Sequence, residues 1–153
     1  YPDVLERAGG RDADIVIASE TASFVDPHVS VGQVSALEPV SLALRVPLPR
    51  LMRMAILGKG ERLTAQDALT IDLVSEVVPG DRLDERALEL ADVVAQNSPA
   101  AVAATRRAVR DFEAQFVRPA MERGWEAVQE HWEHPDAHEG PVAFAERRPP
   151  RWQ

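Results

Sequence analysis

The chain has no cysteine, so disulfides, thiolate nucleophiles and thiolate metal sites are excluded within these 153 residues. No apolar run approaches the roughly 20 residues needed to span a bilayer. Tyr1 to Asp14 lacks the basic start and apolar stretch of a secretory signal, which makes the cytoplasm the default expectation. Positive charge is in deficit: the formal net charge is −8. Nucleic acid is therefore not an expected partner, because phosphate binding needs a surplus of Lys and Arg. There is no glycine-rich phosphate loop. Gly58-Lys59-Gly60 is too short, lacks the upstream glycine, and reads as the end of a helix. There is no Gly-x-Ser-x-Gly elbow around any serine, hence no sign of a serine hydrolase. Repeats and low-complexity segments are also lacking. What remains, at 45% apolar and 27% charged residues, is the composition of an ordinary globular domain. The opening Tyr, in place of Met, fits a fragment.

Tyr1 to Arg11 is polar and aperiodic and reads as a loop. Asp14 to Ala18 is a β-branched run of the kind found in a strand buried on both faces. Ser23 to Val25 reads as a second short extended piece, turned by Asp26-Pro27. Helical spacing begins at Leu37, with Val40, Leu44 and Leu48, broken by Pro47 and Pro49. A helix is expected over Arg50 to Leu57, with Leu51, Met54, Ala55 and either Ile56 or Leu57 inward. Thr64 with Asp67 suits a capped short helix. Leu73 to Val78 reads as a strand, and Pro79-Gly80-Asp81 as a turn. Leu83 to Gln96 is the clearest amphipathic helix, with Leu83, Ala87, Leu90, Ala91 and Val94 on one face. Ser98-Pro99 opens a helix to about Val117. Pro119 interrupts it, and another helix reaches about Trp132. The tail predicts a short helix over Pro141 to Arg147. The fold class is α/β: little strand at the front and a long helical region behind.

Few residues suggest chemistry unaided. His28 follows Asp26-Pro27 in a turn after a strand, where an imidazole can serve as acid or base near neutral pH. A lone histidine with no located partner is more often structural or surface-exposed. His131, His134 and His138 lie among acidic residues, but Pro135 breaks the helix that would put His134 and His138 on one face, so no metal site is assigned. Paired carboxylates such as Asp12/Asp14 and Asp84/Glu85 read as solvated.

The order of segments, not any one of them, carries a resemblance. The segments are Asp14-Ile-Val-Ile-Ala-Ser-Glu20, Ala22-Ser-Phe-Val-Asp-Pro-His-Val-Ser-Val-Gly32 and Leu57-Gly-Lys-Gly-Glu-Arg-Leu-Thr-Ala-Gln-Asp-Ala68. They are followed by Leu73-Val-Ser-Glu-Val-Val-Pro79, Asn97-Ser-Pro-Ala-Ala-Val102 with Thr105-Arg106, and Glu139-Gly140 with Ala143-Phe-Ala-Glu-Arg-Arg-Pro149. In this order they resemble the C-terminal half of the enoyl-CoA hydratase/isomerase, or crotonase, family. The resemblance implies a truncated crotonase-like (ClpP/crotonase) fold. Residues 1–13 are unmatched, 14–80 form the end of the β-spiral core with short helices, and 81–153 form a helical oligomerisation region. It implies an acyl-CoA thioester as substrate, no cofactor, no membrane partner, and a homo-oligomer (trimer or dimer of trimers). It places the protein among the lyases and isomerases of acyl-CoA and fatty acid metabolism. In the family, two backbone N–H groups form an oxyanion hole for a thioester enolate, and carboxylates move the proton or activate water.

Several positions depart from that pattern. The second oxyanion stretch would fall at Val4 to Arg7, which holds no glycine, with Gly9-Gly10 out of register. The first carboxylate would fall at Ala8 and the second at His28. Ser35-Ala36-Leu37-Glu38-Pro39 replaces a glycine-rich segment. The expected reading is a truncated and impaired enzyme, with a non-catalytic CoA-binding or oligomerisation remnant as the alternative. His28 would be the catalytic group, and its place at a carboxylate position argues against ordinary hydration. Phe144 and Arg147 occupy the places of an aromatic and a basic residue that contact CoA. Arg holds a phosphate at least as well as Lys, and the same two residues also fit a packed aromatic and a surface charge.

Overall fold

The computed structural model describes residues 13–153. Its core is small and lies at the front of the chain. Strand β1 (Ile17–Ser19) pairs in parallel with β4 (Glu76–Val78), placing Ala18 opposite Val77. Strand β2 (Ser23–Phe24) pairs antiparallel with β3 (Leu63–Thr64). Both strand pairs lean on the helices α1 (Leu37–Leu42), α2 (Leu48–Leu57) and α3 (Ala65–Thr70). Phe24, Leu42, Val46, Leu51, Met54, Leu63, Ile71 and Val74 form one buried cluster there. Its drive is removal of apolar area from water, about 25 cal/mol per Å².

Local chemistry fixes the boundaries. Pro47 and Pro49 sit at the start of α2, where a missing N–H costs nothing. Gly58 ends α2 at φ 57°. Thr64 and Asp67 form a reciprocal capping box on α3, as their spacing predicts. Leu51, Met54 and Ala55 turn inward, but Ile56 and Leu57 are both exposed, because α2 offers one narrow apolar face to the core. The Asp14–Ala18 segment is also less buried than expected. Ala18 is covered, whereas Ile15 is 51% exposed, since no described residue lies over it.

The second half is helical: α4 (Leu83–Ala95), α5 (Pro99–His131) and α6 (Pro135–Ala145). Two prolines fail to stop helices that the sequence suggests they should. Pro119 lies inside the unbroken α5, and Pro141 lies inside α6, which starts six residues earlier than expected. A proline deletes one backbone hydrogen bond, and long flanking runs of helix formers on either side of Pro119 carry α5 through that loss. The amphipathic face of α4 is present but uncovered. No α4 residue is buried, and with β1 and α5 it walls a cleft of about 1020 Å³ lined by Ile15, Leu90, Val94, Val102 and Val109. Farther along α5, Phe112 and Phe116 stack edge to face and are both exposed. No helix among the described residues is long and apolar enough to cross a membrane.

One docking event matters most for the site. Helix α6 returns to the front of the chain and packs on the 3₁₀ turn His28–Val31. Gly140 permits it: a Cβ there would lie 1.9 Å from the Val31 carbonyl oxygen. The Gln33 side-chain amide donates to the Ala137 carbonyl at 2.9 Å. The His131 ring N–H donates to the Gly32 carbonyl at 2.7 Å.

Candidate functional site

His28 leads that 3₁₀ turn, just after β2. Its partner is two residues away. Asp26 is 2% exposed, and its Oδ1 accepts from the His28 backbone N–H at 3.1 Å and lies 2.7 Å from the imidazole Nδ1. The other carboxylate oxygen accepts from the Ser35 hydroxyl. Pro27, at φ −88°, fixes the turn between aspartate and histidine. With Nδ1 held by a carboxylate, the neutral imidazole carries its proton there and offers Nε2 as a base. Nε2 faces outward, 4.0 Å from Oε1 of Glu38 in the first turn of α1.

The two groups shift each other's ionisation. Burial pushes the Asp26 carboxyl up, but the bonds from His28 and Ser35 outweigh it, and its pKa lies below the ordinary 3.8. The hydrogen bond to Asp26 raises the His28 pKa above 6.5, against burial, with the charges of Asp26 and Glu38 adding to the rise. A raised histidine contributes stability that is full below its unfolded value and lost as pH rises through its folded value. A depressed carboxyl contributes stability present above its unfolded value and lost as pH falls through its folded value. The pair therefore stabilises fully only between the two ordinary values of 3.8 and 6.5. Denaturant midpoints of wild type and His28→Gln should differ most near pH 5, about midway in that window, and converge at alkaline pH. A gap that is flat across pH contradicts the pairing.

Phe144 lies in the last turn of α6, and Arg147 just beyond its end, in a left-handed conformation at φ 55°. Phe144 is exposed, and the Lys59 ammonium sits 5.3 Å from its ring centroid, a cation–π contact. The Lys59 backbone N–H donates to the Ser30 hydroxyl at 2.8 Å, so Phe144 is tied through Lys59 to the turn that begins at His28. Arg148 is committed to Glu139 and Glu146, and holds the Glu139 carboxyl down to about 2. Arg147 is exposed and has no carboxylate partner among the described residues.

The sequence singles out His28, Phe144 and Arg147 but misses Asp26, Ser35, Glu38 and Lys59. A signal for Asp26 was present: an aspartate two residues ahead of a histidine, across a proline, can reach back to Nδ1 within one turn. Glu38 carries no such signal, since the fold alone brings it to Nε2. Two of the other histidines hold local structure. His131 braces the Gly32 loop, and His134 caps α6 by accepting from the Asp136 N–H. Among the described residues no cluster of three or more His, Asp or Glu could hold a metal. The positions expected for the second oxyanion stretch and first carboxylate, Val4 to Arg7, Ala8 and Gly9-Gly10, lie outside the described residues.

The sequence model of the enoyl-CoA hydratase/isomerase family matches residues 10–153. That match takes in residues ahead of Asp14, where the quoted motifs begin, so the likeness starts earlier than those motifs indicate. Carnitinyl-CoA dehydratase of Proteus mirabilis is 35% identical over 147 residues, covering 92% of this chain and 55% of that protein. The crystal structure of carnitinyl-CoA hydratase from Mycobacterium avium superposes with a TM-score of 0.83 at 34% identity, over 94% of this chain and 56% of that one. An enoyl-CoA hydratase/isomerase structure from Pseudoalteromonas atlantica gives 0.86 at 28% identity, over 98% of this chain and 60% of that one. The chain spans about half the length of the curated relatives it matches.

Proposed function

This chain belongs to the enoyl-CoA hydratase/isomerase family, and from that membership we propose that the protein carrying it acts on acyl-CoA thioesters, with His28 moving the proton. The observation that carries the reading is the Asp26–His28 pair inside the family-matched segment. A buried carboxylate that fixes the tautomer and leaves Nε2 presented is an arrangement suited to acid–base catalysis. Proton transfer at the carbon beside a thioester carbonyl makes an enolate, the species that this family's chemistry stabilises. Lys59 joins Phe144 to that turn, and Arg147 follows three residues after Phe144, so the three supply an aromatic face and two cations for a CoA ligand. Helices α4 and α5, with their uncovered apolar residues, are the contact surfaces between copies in a trimer or dimer of trimers.

Calorimetry with CoA and a mass measurement in solution test this reading together. The wild-type protein should bind CoA and sediment as an oligomer, and Arg147→Ala should weaken binding about tenfold, the size of one exposed phosphate contact (about 1.4 kcal/mol). Binding by an oligomer that catalyses nothing favours the non-catalytic remnant. A monomer indifferent to CoA contradicts both readings.

A further inference from the structure

Glu38 has no role assigned so far. It stands on α1, while His28 stands on the turn after β2, and the fold brings the two together. Oε1 and Nε2 are 4.0 Å apart, beyond a direct hydrogen bond. An oxygen about 2.8 Å from each fits that gap with an angle of roughly 90° between its two contacts. Both side chains are about one-third exposed, so the gap opens outward rather than into the core. Among the described residues, the charged groups facing His28 are Asp26 on its Nδ1 side and Glu38 on its Nε2 side. Asp26 is fully engaged by His28 and Ser35. Among the described residues the Glu38 carboxylate makes no hydrogen bond, and Ser41 bonds the Glu38 backbone carbonyl instead.

We propose that Glu38 is the second proton-transferring group of this site, working with His28 on one water molecule, and that the reaction served is addition of water to an α,β-unsaturated acyl thioester or the reverse loss. The proposal rests on the acyl-CoA reading above. The steps balance as follows. The Glu38 carboxylate takes a proton from water as its oxygen bonds to the β-carbon, and the double-bond electrons move to the thioester enolate. Protonated His28 delivers its Nε2 proton to the α-carbon, and the enolate collapses to the thioester. Glu38 is then protonated and His28 neutral, and a water in the gap carries the proton back. The imidazole at position 28 therefore does not argue against hydration, because the carboxylate that hydration needs arrives from α1.

The test uses trans-2-enoyl-CoA thioesters of short, medium and long chain, with hydration followed by loss of the enoyl absorbance. The wild-type rate should fall on the alkaline side as His28 deprotonates. Glu38→Gln should lose about 100-fold in rate and keep that alkaline fall. Glu38→Asp, which keeps a carboxylate, should recover most of the lost rate. A Glu38→Gln rate within threefold of wild type overturns the proposal. A wild-type protein that binds thioesters and exchanges the α-hydrogen but never hydrates also overturns it, and leaves the acyl-CoA reading standing. A wild-type protein that neither binds nor exchanges removes both.

Discussion

His28→Ala should lower acyl-CoA turnover by about 10²- to 10⁴-fold, the usual weight of one positioned acid–base group. The loss should fall on kcat and leave thioester affinity close to wild type, because the proposed CoA contacts are other residues, Phe144, Lys59 and Arg147. The fold should survive, since His28 is partly exposed and packs little apolar area. Removing the ring strips the Asp26 carboxylate of one of its partners but leaves Ser35 and the backbone N–H of residue 28 in place. Stopped assays on purified variants, with a circular dichroism melt as control, read both quantities. A variant that retains full turnover would remove His28 from the chemistry.

The second large effect should come from a residue with no side chain. In α6, Gly140 sits against the Val31 carbonyl, and an added Cβ would lie 1.9 Å from that oxygen and 3.0 Å from the Gly32 nitrogen. Both neighbours are backbone, so no side-chain rotation relieves the overlap. Gly140→Ala must lift α6 off the turn that bears His28, breaking the Gln33–Ala137 hydrogen bond. Alanine returns up to about 1 kcal/mol through helix propensity, but overpacking plus one lost bond at roughly 1 kcal/mol outweighs that, for a net loss of about 2 kcal/mol. Gly60→Ala is the matched control, because nothing lies within 4 Å of its added Cβ. Chemical denaturation followed by tryptophan fluorescence separates them, helped by Trp152, whose ring lies by Gly32. Equal midpoints for the two variants contradict the docking described here.

The sequence was most legible where local chemistry decides the structure. The Thr64–Asp67 capping box, the Ser98-Pro99 helix start and the apolar face of α2 each depend on residues a few positions apart. It was less legible at Pro119 and Pro141, where the local rule says stop and the surrounding helix continues. The α4 face is correctly periodic, yet periodicity cannot say whether anything covers it, and among the described residues nothing does. The site divides in the same way. His28 was visible as a residue type in a turn, and Asp26 was within reach of the same reasoning. Glu38 depends on α1 packing beside the 3₁₀ turn, and Lys59 meets Phe144 across 85 residues, a pairing that only the folded chain makes. Family motifs supplied Phe144 and Arg147, and the fold placed their region beside the histidine's turn.

The central claim is that Asp26 holds His28 to move a proton at the α-carbon of an acyl-CoA thioester. Hydrogen exchange at that carbon tests it without knowledge of the full reaction. A saturated acyl-CoA incubated with the protein in heavy water should gain deuterium at the α-position, read by mass spectrometry. The account predicts exchange by the wild type, and loss of it in His28→Ala with CoA binding retained. Exchange that persists undiminished in His28→Ala would contradict it.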